Sequence, residues 1–220
     1  AAARRLFGST AAVWAALLLA VAPLFTVNGR YLTADVPMLC WIAVALWAST
    51  HIMAGGSHVW YVVAGISVGL AAATRYQGAL AALIVFSAHV FREQPHPVSP
   101  RWPAPLRVLV QVFGDSHLWL AGVVSIIAFI LTNIYVLFMP DVFLREVTAE
   151  LRSAGAASGS LVWRAVIFLI YGLGPILAVA SFAGLAHVLR RGTRADWFVV
   201  WAFVPAVVSS PRRARSWSGT

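Results

Sequence analysis

Residues 28–39 read NGRYLTADVPML and separate two apolar runs, one over residues 10–27 and one over residues 38–53. The stretch places a base, Arg30, and an acid, Asp35, between these runs, with Pro37 two residues after the acid. Proline fits the first turn of a helix, where its missing N–H is not needed. The pattern therefore predicts two helices joined by a short polar connection that carries opposite charges.

The rest of the chain repeats this alternation of apolar runs and short polar segments. Of its 220 residues, 61% are hydrophobic and 10% are charged, whereas soluble domains carry about 25% charged residues. Most of the runs approach the length that crosses a bilayer core of about 30 Å, and few polar helix faces remain to meet water. Composition therefore predicts an all-α polytopic protein of the cell membrane with about seven transmembrane helices. The predicted spans are residues 10–27, 38–53, 59–74, 78–91, 118–137, 162–189 and 197–209.

The basic residues indicate how these helices are oriented. The net charge is +9, and all 16 Lys and Arg residues are arginines, most of which lie in the short segments outside the predicted spans. Such a distribution argues against a nucleic-acid partner, which needs basic residues clustered on a soluble module. With a cytoplasmic N-terminus, the arginine bias places residues 28–39, the break at residues 74–78 and the loop 138–161 together on the outer face.

A proline-rich segment divides the chain into blocks. We predict a first transmembrane block over residues 1–91, a cytoplasmic linker over 92–117, a second block over 118–209 and an atypical tail over 210–220. In the outer loop 138–161, apolar residues have helical spacing after Asp141, which predicts an amphipathic helix. Two placements of this helix stay open, one along the membrane surface and one against other protein loops. The apolar positions are Phe143, Leu144, Val147 and Leu151.

Three charged residues are candidates for a site. Arg75 interrupts the apolar run of residues 59–91, which reads as two short helices or as one long bent helix; a charge at such a break usually lines a cavity or binds a ligand. Arg30 is either a clamp on phosphate or a residue that reaches the lipid headgroups. Asp35 is either a plain helix cap or a ligand of a metal ion or a basic partner. Because an unpaired charge in lipid is costly, we expect Asp35 and Arg75 to approach each other around one polar cavity.

Three stretches together resemble the membrane core of the protein O-mannosyltransferase and aminoarabinose transferase superfamily. They are TAAVWAALLLAVAPLFTVNGRYLTADVPMLCWIAVAL at residues 10–46, AGISVGLAAATRYQGALAAL at residues 64–83 and TNIYVLFMPDVFLREVTAEL at residues 132–151. These families are polytopic GT-C glycosyltransferases that use polyprenyl-phosphate sugars. The lysine common at their helix break is Arg75 here, and a proline usual after Asn133 is Ile134. The resemblance covers about residues 1–170.

The resemblance implies a partial GT-C transmembrane core that transfers a sugar from a polyprenyl-phosphate donor at the outer face, with membrane lipid as a partner. It implies that Arg75, Arg30 and Tyr76 bind the donor phosphate and that Asp35 is a candidate ligand of a divalent metal ion. The family's catalytic acid lies between its first two helices, and this chain begins at a stretch that matches the third. We therefore expect a fragment that is inactive alone and whose catalytic base lies elsewhere.

The alternative function is that of a membrane transporter or a non-catalytic membrane subunit. A transporter of this kind uses broken helices with charges near the bilayer midplane. Here the informative charges are predicted at one face of the membrane, which favours the glycosyltransferase.

Overall fold

The computed structural model describes residues 1–21, 34–92, 113–155 and 175–209. All regular structure in these residues is helical, so the predicted all-α class is confirmed there. The helices in chain order are α1 (Ala2–Val21), α2 (Asp35–Met53), α3 (His58–Thr74), a 3₁₀ helix (Tyr76–Ala81), α4 (Ala82–Val90), α5 (Ser116–Thr132), α6 (Tyr135–Phe138), α7 (Pro140–Gly155), α8 (Pro175–Arg191) and α9 (Arg194–Ser209).

Helix α3 lies at the centre of the bundle. It packs along α2 on one side and along α5 on the other, and α4 packs against α2 and α9. The core between these helices contains small and branched apolar side chains with two aromatic rings. Its members include Ala45, Ala48, Ile52, Tyr61, Ala64, Val68, Ile84, Val85, Ala88 and Phe198.

Helices α3 and α5 are in backbone contact through two glycines of α3. A Cβ atom added at Gly65 would lie 2.5 Å from the carbonyl oxygen of Ala121, and one added at Gly69 would overlap the carbonyl oxygen of Ser125. Small residues spaced four apart allow helices to approach this closely. The stripe at Gly65 and Gly69 therefore sets the distance between the two central helices.

We expect Gly69→Ala to destabilise the bundle because the new methyl group must push α5 away. Overpacking of this kind costs about 1–3 kcal/mol, and each kcal/mol lowers the melting temperature by roughly 2–4 °C for a chain of this size. Gly122→Ala is the matched control, since nothing lies within 4 Å of a Cβ at that position in α5. Alanine there is expected to gain up to about 1 kcal/mol of helix propensity. The measurement is thermal unfolding in detergent, followed by tryptophan fluorescence, and equal melting temperatures for the two variants would contradict the close packing.

The segment 59–91 forms two antiparallel helices, so the interpretation as one bent helix is wrong. Helix α3 ends at Thr74, Arg75 is extended with φ −152° and ψ 136°, and the chain then turns into the 3₁₀ helix. A Cβ at Gly78 would overlap the carbonyl of Ala71, which shows that the turn folds back against α3. At the far ends of the two helices, the Tyr61 hydroxyl lies 2.7 Å from Nδ1 of His89.

The number of membrane spans is not confirmed. By length and composition, one helix of the described residues, α2, is long and apolar enough to cross a bilayer. The apolar helical segments His58–Thr74, Tyr76–Val90, Ser116–Thr132 and Leu177–Arg190 are shorter, with 10–17 residues each. Several large apolar side chains of α5 nevertheless face outward, among them Trp119, Ile126 and Leu131, which is 72% exposed. An outward apolar stripe of this kind suits lipid or further protein.

Some predicted boundaries change. Helix α1 already begins at Ala2 and contains a break at Gly8, where φ is 87°. The span predicted at 118–137 ends at Thr132, and its last residues belong to the short helix α6. The tail 210–220 and parts of the predicted linker, outer loop and sixth span lie outside the described residues. The predicted division into blocks stays a prediction.

Candidate functional site

Asp35 and Arg75 form an ion pair at one end of the bundle. Helix α2 begins at Asp35, its N-cap is Ala34, and no side chain caps it. The Asp35 carboxylate instead accepts a hydrogen bond from Nη1 of Arg75. The interpretation of Asp35 as a plain cap is therefore wrong, because the carboxylate pairs with the guanidinium rather than with backbone N–H groups. The predicted approach of the two charges is confirmed.

The backbone at the break holds Arg75 in a defined position. The Arg75 N–H donates to the carbonyl of Ala71 at 3.2 Å, and the Arg75 carbonyl accepts from the N–H of Gly78 at 2.8 Å. Both polar groups of this extended residue are thus bonded to the turns on either side. With the side chains of Asp35 and Arg75 30% and 39% exposed, the pair is reachable from outside the bundle.

A polar cavity of about 270 Å³ lies beside Arg75. It is bounded by the helix break on one side and by the junction between α5 and α6 on the other, where Asn133 is the C-cap of α5 and Tyr135 is the first residue of α6. Its lining residues are Ala73, Thr74, Arg75, Tyr76, Asn133 and Tyr135. Two segments far apart in sequence therefore present a cation, hydroxyls and an amide to one small space.

Helix α7 contacts the region around the cavity through Tyr76. The Tyr76 hydroxyl donates to Oε2 of Glu146 at 2.8 Å and lies 3.0 Å from the hydroxyl of Tyr135. The ring of Phe143 packs edge-on against Tyr76, with ring centroids 5.7 Å apart, while Leu144 is 59% exposed. The predicted amphipathic helix is thus present, and Phe143 supports its placement against protein.

The structure brings some of the predicted site residues together and does not describe another. Arg75 and Tyr76 line one cavity, and Asp35 contacts Arg75, whereas Arg30 lies outside the described residues. The phosphate-binding role of these residues stays a prediction. Sequence reasoning did not select three residues of the site, Asn133, Tyr135 and Glu146. Only the family resemblance pointed to the stretch TNIY at residues 132–135. No sequence periodicity links this stretch to the break at Arg75.

The described residues do not fit a divalent metal site at Asp35. Among them, no group of three or more His, Cys, Asp or Glu side chains could hold a metal ion. The partner that occupies the Asp35 carboxylate is itself a cation, and like charges repel at such a distance. We therefore assign no step of the chemistry to a metal ion.

A second polar cluster lies at the opposite end of α3. Asp115 is 3% exposed. Its carboxylate accepts from the backbone N–H of His117 at 2.9 Å, lies 2.6 Å from Nδ1 of the same residue, and forms an ion pair with Nη1 of Arg92 at 2.9 Å. Arg92 also donates to the Tyr61 hydroxyl at 3.2 Å, and that hydroxyl lies next to His89. The cluster joins α3, α4 and α5 across the two ends of the predicted linker.

A comparison with protein families finds a match for part of the chain. Residues 1–104 match the family model described as dolichyl-phosphate-mannose-protein mannosyltransferase. Asp35, Arg75 and Tyr76 lie inside the matched range, and Asn133, Tyr135 and Glu146 lie beyond it. No curated protein and no solved structure matches the chain.

Proposed function

We propose, from the membership of residues 1–104 in the GT-C-like superfamily, that this chain contributes the donor-phosphate site of a multi-pass membrane glycosyltransferase. The donor is a polyprenyl-phosphate-linked sugar, and the reaction is of the mannosyltransferase kind. The single observation that carries the proposal is a guanidinium, Arg75, fixed at a helix break beside a polar cavity inside the matched range.

Arg75 has the properties that a lipid phosphate requires. Its planar guanidinium offers five N–H donors in a fork that matches phosphate oxygens. Asp35 engages one end of this fork through Nη1 and holds its direction. The side chain is partly exposed, so an anion can reach it. We propose that the helix break lies at the level of the bilayer headgroups, because a charge at that level avoids the acyl chains.

The proposed chemistry is a displacement at the anomeric carbon of the donor sugar. An acceptor hydroxyl forms a new bond to that carbon, and the bond from the carbon to the phosphate oxygen breaks with its electron pair on the departing polyprenyl phosphate. Negative charge grows on the leaving phosphate, and a preorganised cation beside it lowers the barrier. Arg75 is assigned this stabilising role and Asp35 the role of orienting it. The base that takes the acceptor proton is not assigned to a described residue.

The experiment measures lipid binding by the purified chain in detergent. We expect the chain to bind polyprenyl phosphate at least tenfold more tightly than the matching polyprenol, which lacks the phosphate. Charge-assisted hydrogen bonds contribute about 1.5–3 kcal/mol, so Arg75→Ala is expected to weaken phosphate-lipid binding about 10- to 100-fold. Its affinity for the polyprenol should stay the same, because that lipid makes no contact with the guanidinium.

Arg190→Ala is the matched control, since Arg190 is an exposed arginine near the end of α8 and does not line the cavity beside Arg75. It removes the same charge and is expected to keep the preference for phosphate. Equal binding of the phosphate and the alcohol by the unmodified chain would overturn the proposal. So would an equal loss in the Arg75 and Arg190 variants, because the effect would then reflect net charge alone.

A further inference from the structure

An exposed apolar patch lies at the junction of α6 and α7. Phe138 is 77% exposed, and the other large apolar side chains of the patch are exposed as well. The patch follows Leu131, which belongs to the outward apolar stripe of α5, and the sequence has no Asp, Glu, Lys or Arg between His117 and Asp141. An exposed apolar surface of this kind marks contact with a membrane or with another protein. The members of this α6–α7 patch are Ile134, Leu137, Phe138, Met139 and Leu144.

One side of α7 is held by the bundle. The ring of Phe143 contacts the rings of Tyr76 and Phe129, with centroids 5.7 and 5.9 Å apart. Glu146, one turn later on the same side, accepts a hydrogen bond from the Tyr76 hydroxyl. These contacts fix the rotation of α7 about its axis, and they leave its other sides to meet whatever surrounds the bundle.

The far side of α7 carries two free cations. Successive residues of a helix are about 100° apart, so Arg145 and Arg152, two turns apart, share one side, and Leu144 lies between that side and the bundle. Both arginines are exposed. Within the described residues neither guanidinium forms an ion pair, even with Asp141 one turn before Arg145. Moving outward from the bundle, α7 therefore presents first an apolar edge and then unpaired positive charge.

We infer that the α6–α7 patch enters the membrane leaflet nearest the helix break at Arg75, and that Arg145 and Arg152 bind the phosphates of anionic phospholipids there. A bilayer presents acyl chains and then phosphates in the same order as the apolar edge and the arginines of α7. Helices at membrane surfaces bury their apolar side about 5–10 Å into the boundary between headgroups and acyl chains, with basic residues beside it. The inference needs the membrane location of the chain but not the proposed donor-phosphate site.

The test places one fluorescent label at a time on the chain, after Cys40, its only cysteine, is replaced by serine. Phe138→Cys and Leu144→Cys carry labels in the patch. Ala149→Cys is the control, because Ala149 is exposed on the side of α7 away from Leu144. In vesicles of phosphatidylcholine with anionic phosphatidylglycerol, a lipid-borne quencher should act on the two patch labels at least about threefold more strongly than aqueous iodide, and the order should reverse at position 149.

The arginines have their own double variant, Arg145→Gln with Arg152→Gln. Each arginine near an anionic surface strengthens membrane contact roughly fivefold, so the double variant should lower the ratio of lipid-contacting to detached label at position 144 about 10- to 30-fold. Vesicles of phosphatidylcholine alone should lower the ratio for the unmodified arginines in the same way. Arg190→Gln with Arg194→Gln is the matched control, since it removes the same charge from exposed positions in α8 and α9 and should leave the ratio unchanged.

Three outcomes would overturn the inference. Stronger quenching by iodide than by the lipid-borne quencher at both patch labels would place the patch in water. Protection from both quenchers would mean that protein covers it. Equal quenching at position 144 in the two vesicle compositions would exclude the contact with anionic headgroups, and this comparison needs no substitution of the arginines, so it holds even if the double variant fails to fold.

Discussion

Exchanging the two charges at the helix break, as the double variant Asp35→Arg with Arg75→Asp, is expected to lower sugar transfer about 100- to 1000-fold. Removal of a group that stabilises developing charge in a transition state has an effect of this size. The exchanged pair can still form an ion pair, so the ends of α2 and α3 stay joined. The guanidinium, however, moves to the start of α2 and away from the cavity that Thr74, Tyr76 and Tyr135 line.

Because this chain alone is expected to be inactive, the measurement is transfer from a polyprenyl-phosphate donor in membranes that hold an active enzyme containing it, with and without the two substitutions. Melting temperature is measured in parallel and is expected to change little in the exchanged variant, because exposed ion pairs contribute about 0–1 kcal/mol in either orientation. Arg75→Lys is the informative single variant, since it keeps the charge but loses the planar fork. Retained transfer in the exchanged variant would refute the assignment of Arg75 to the leaving phosphate.

Composition and local pattern were sufficient to predict the helical class, most helix positions and the break at Arg75. These predictions succeeded because each depends only on the chemistry of residues that are neighbours in sequence. Apolar runs must be helical to satisfy their own backbone in lipid or in a core, and Thr74 to Gly78 interrupt such a run with polar side chains. The approach of Asp35 and Arg75 was also predictable, since two opposite charges at apolar helix ends lower each other's cost.

The far wall of the candidate site could not be predicted in the same way. Tyr135 and Glu146 lie 59 and 70 positions after Tyr76 in the chain. Neither belongs to a local motif that demands a distant partner, and only the packing of α3 against α5 brings them together. The cap interpretation of Asp35 failed for a related reason. Helix starts commonly carry aspartate. The frequency of aspartate at such positions takes no account of a guanidinium from another helix that can bind the carboxylate.

The ion pair between Arg92 and Asp115 was missed as well, because the two residues stand at opposite ends of a proline-rich segment. Their ion pair joins the two ends of that segment on the side of the bundle away from Asp35, and both side chains are nearly buried. Two polar ends of one connection therefore hold α4 and α5 at a fixed distance. This cluster should matter more for stability than the exposed pair at the candidate site, since water screens it less.

Asp115→Asn is expected to destabilise the folded chain by about 3 kcal/mol. Breaking a buried ion pair by neutralising one partner costs about 3–5 kcal/mol, because the other charge is left buried; the Arg92 side chain is 11% exposed, which favours the lower end. The asparagine also turns an N–H₂ group toward a guanidinium that can only donate. Thermal unfolding in detergent should show a melting temperature roughly 6–12 °C lower.

Asp141→Asn is the control for loss of a carboxylate, since Asp141 is an exposed residue in the first turn of α7. There the charge interacts favourably with the helix dipole, which contributes about 0.3–1 kcal/mol. Its variant is therefore expected to melt within a few degrees of the unmodified chain. Equal melting temperatures for the two variants would mean that the Arg92–Asp115 pair does not hold the helices together.

The pH dependence of stability provides an independent check on the same pair. Burial acts to raise the pKa of Asp115, but hydrogen bonds from His117 and the charge of Arg92 outweigh it and hold the pKa at about 2, below its ordinary value of 3.8. A depressed folded pKa means that the carboxylate's contribution is fully present above about pH 4 and is lost as the pH falls through about 2. The unmodified chain should therefore lose more stability than Asp115→Asn over this window, because the asparagine does not titrate. If both chains lose stability in parallel between pH 4 and pH 2, the loss comes from other carboxylates and the assignment to Asp115 is wrong.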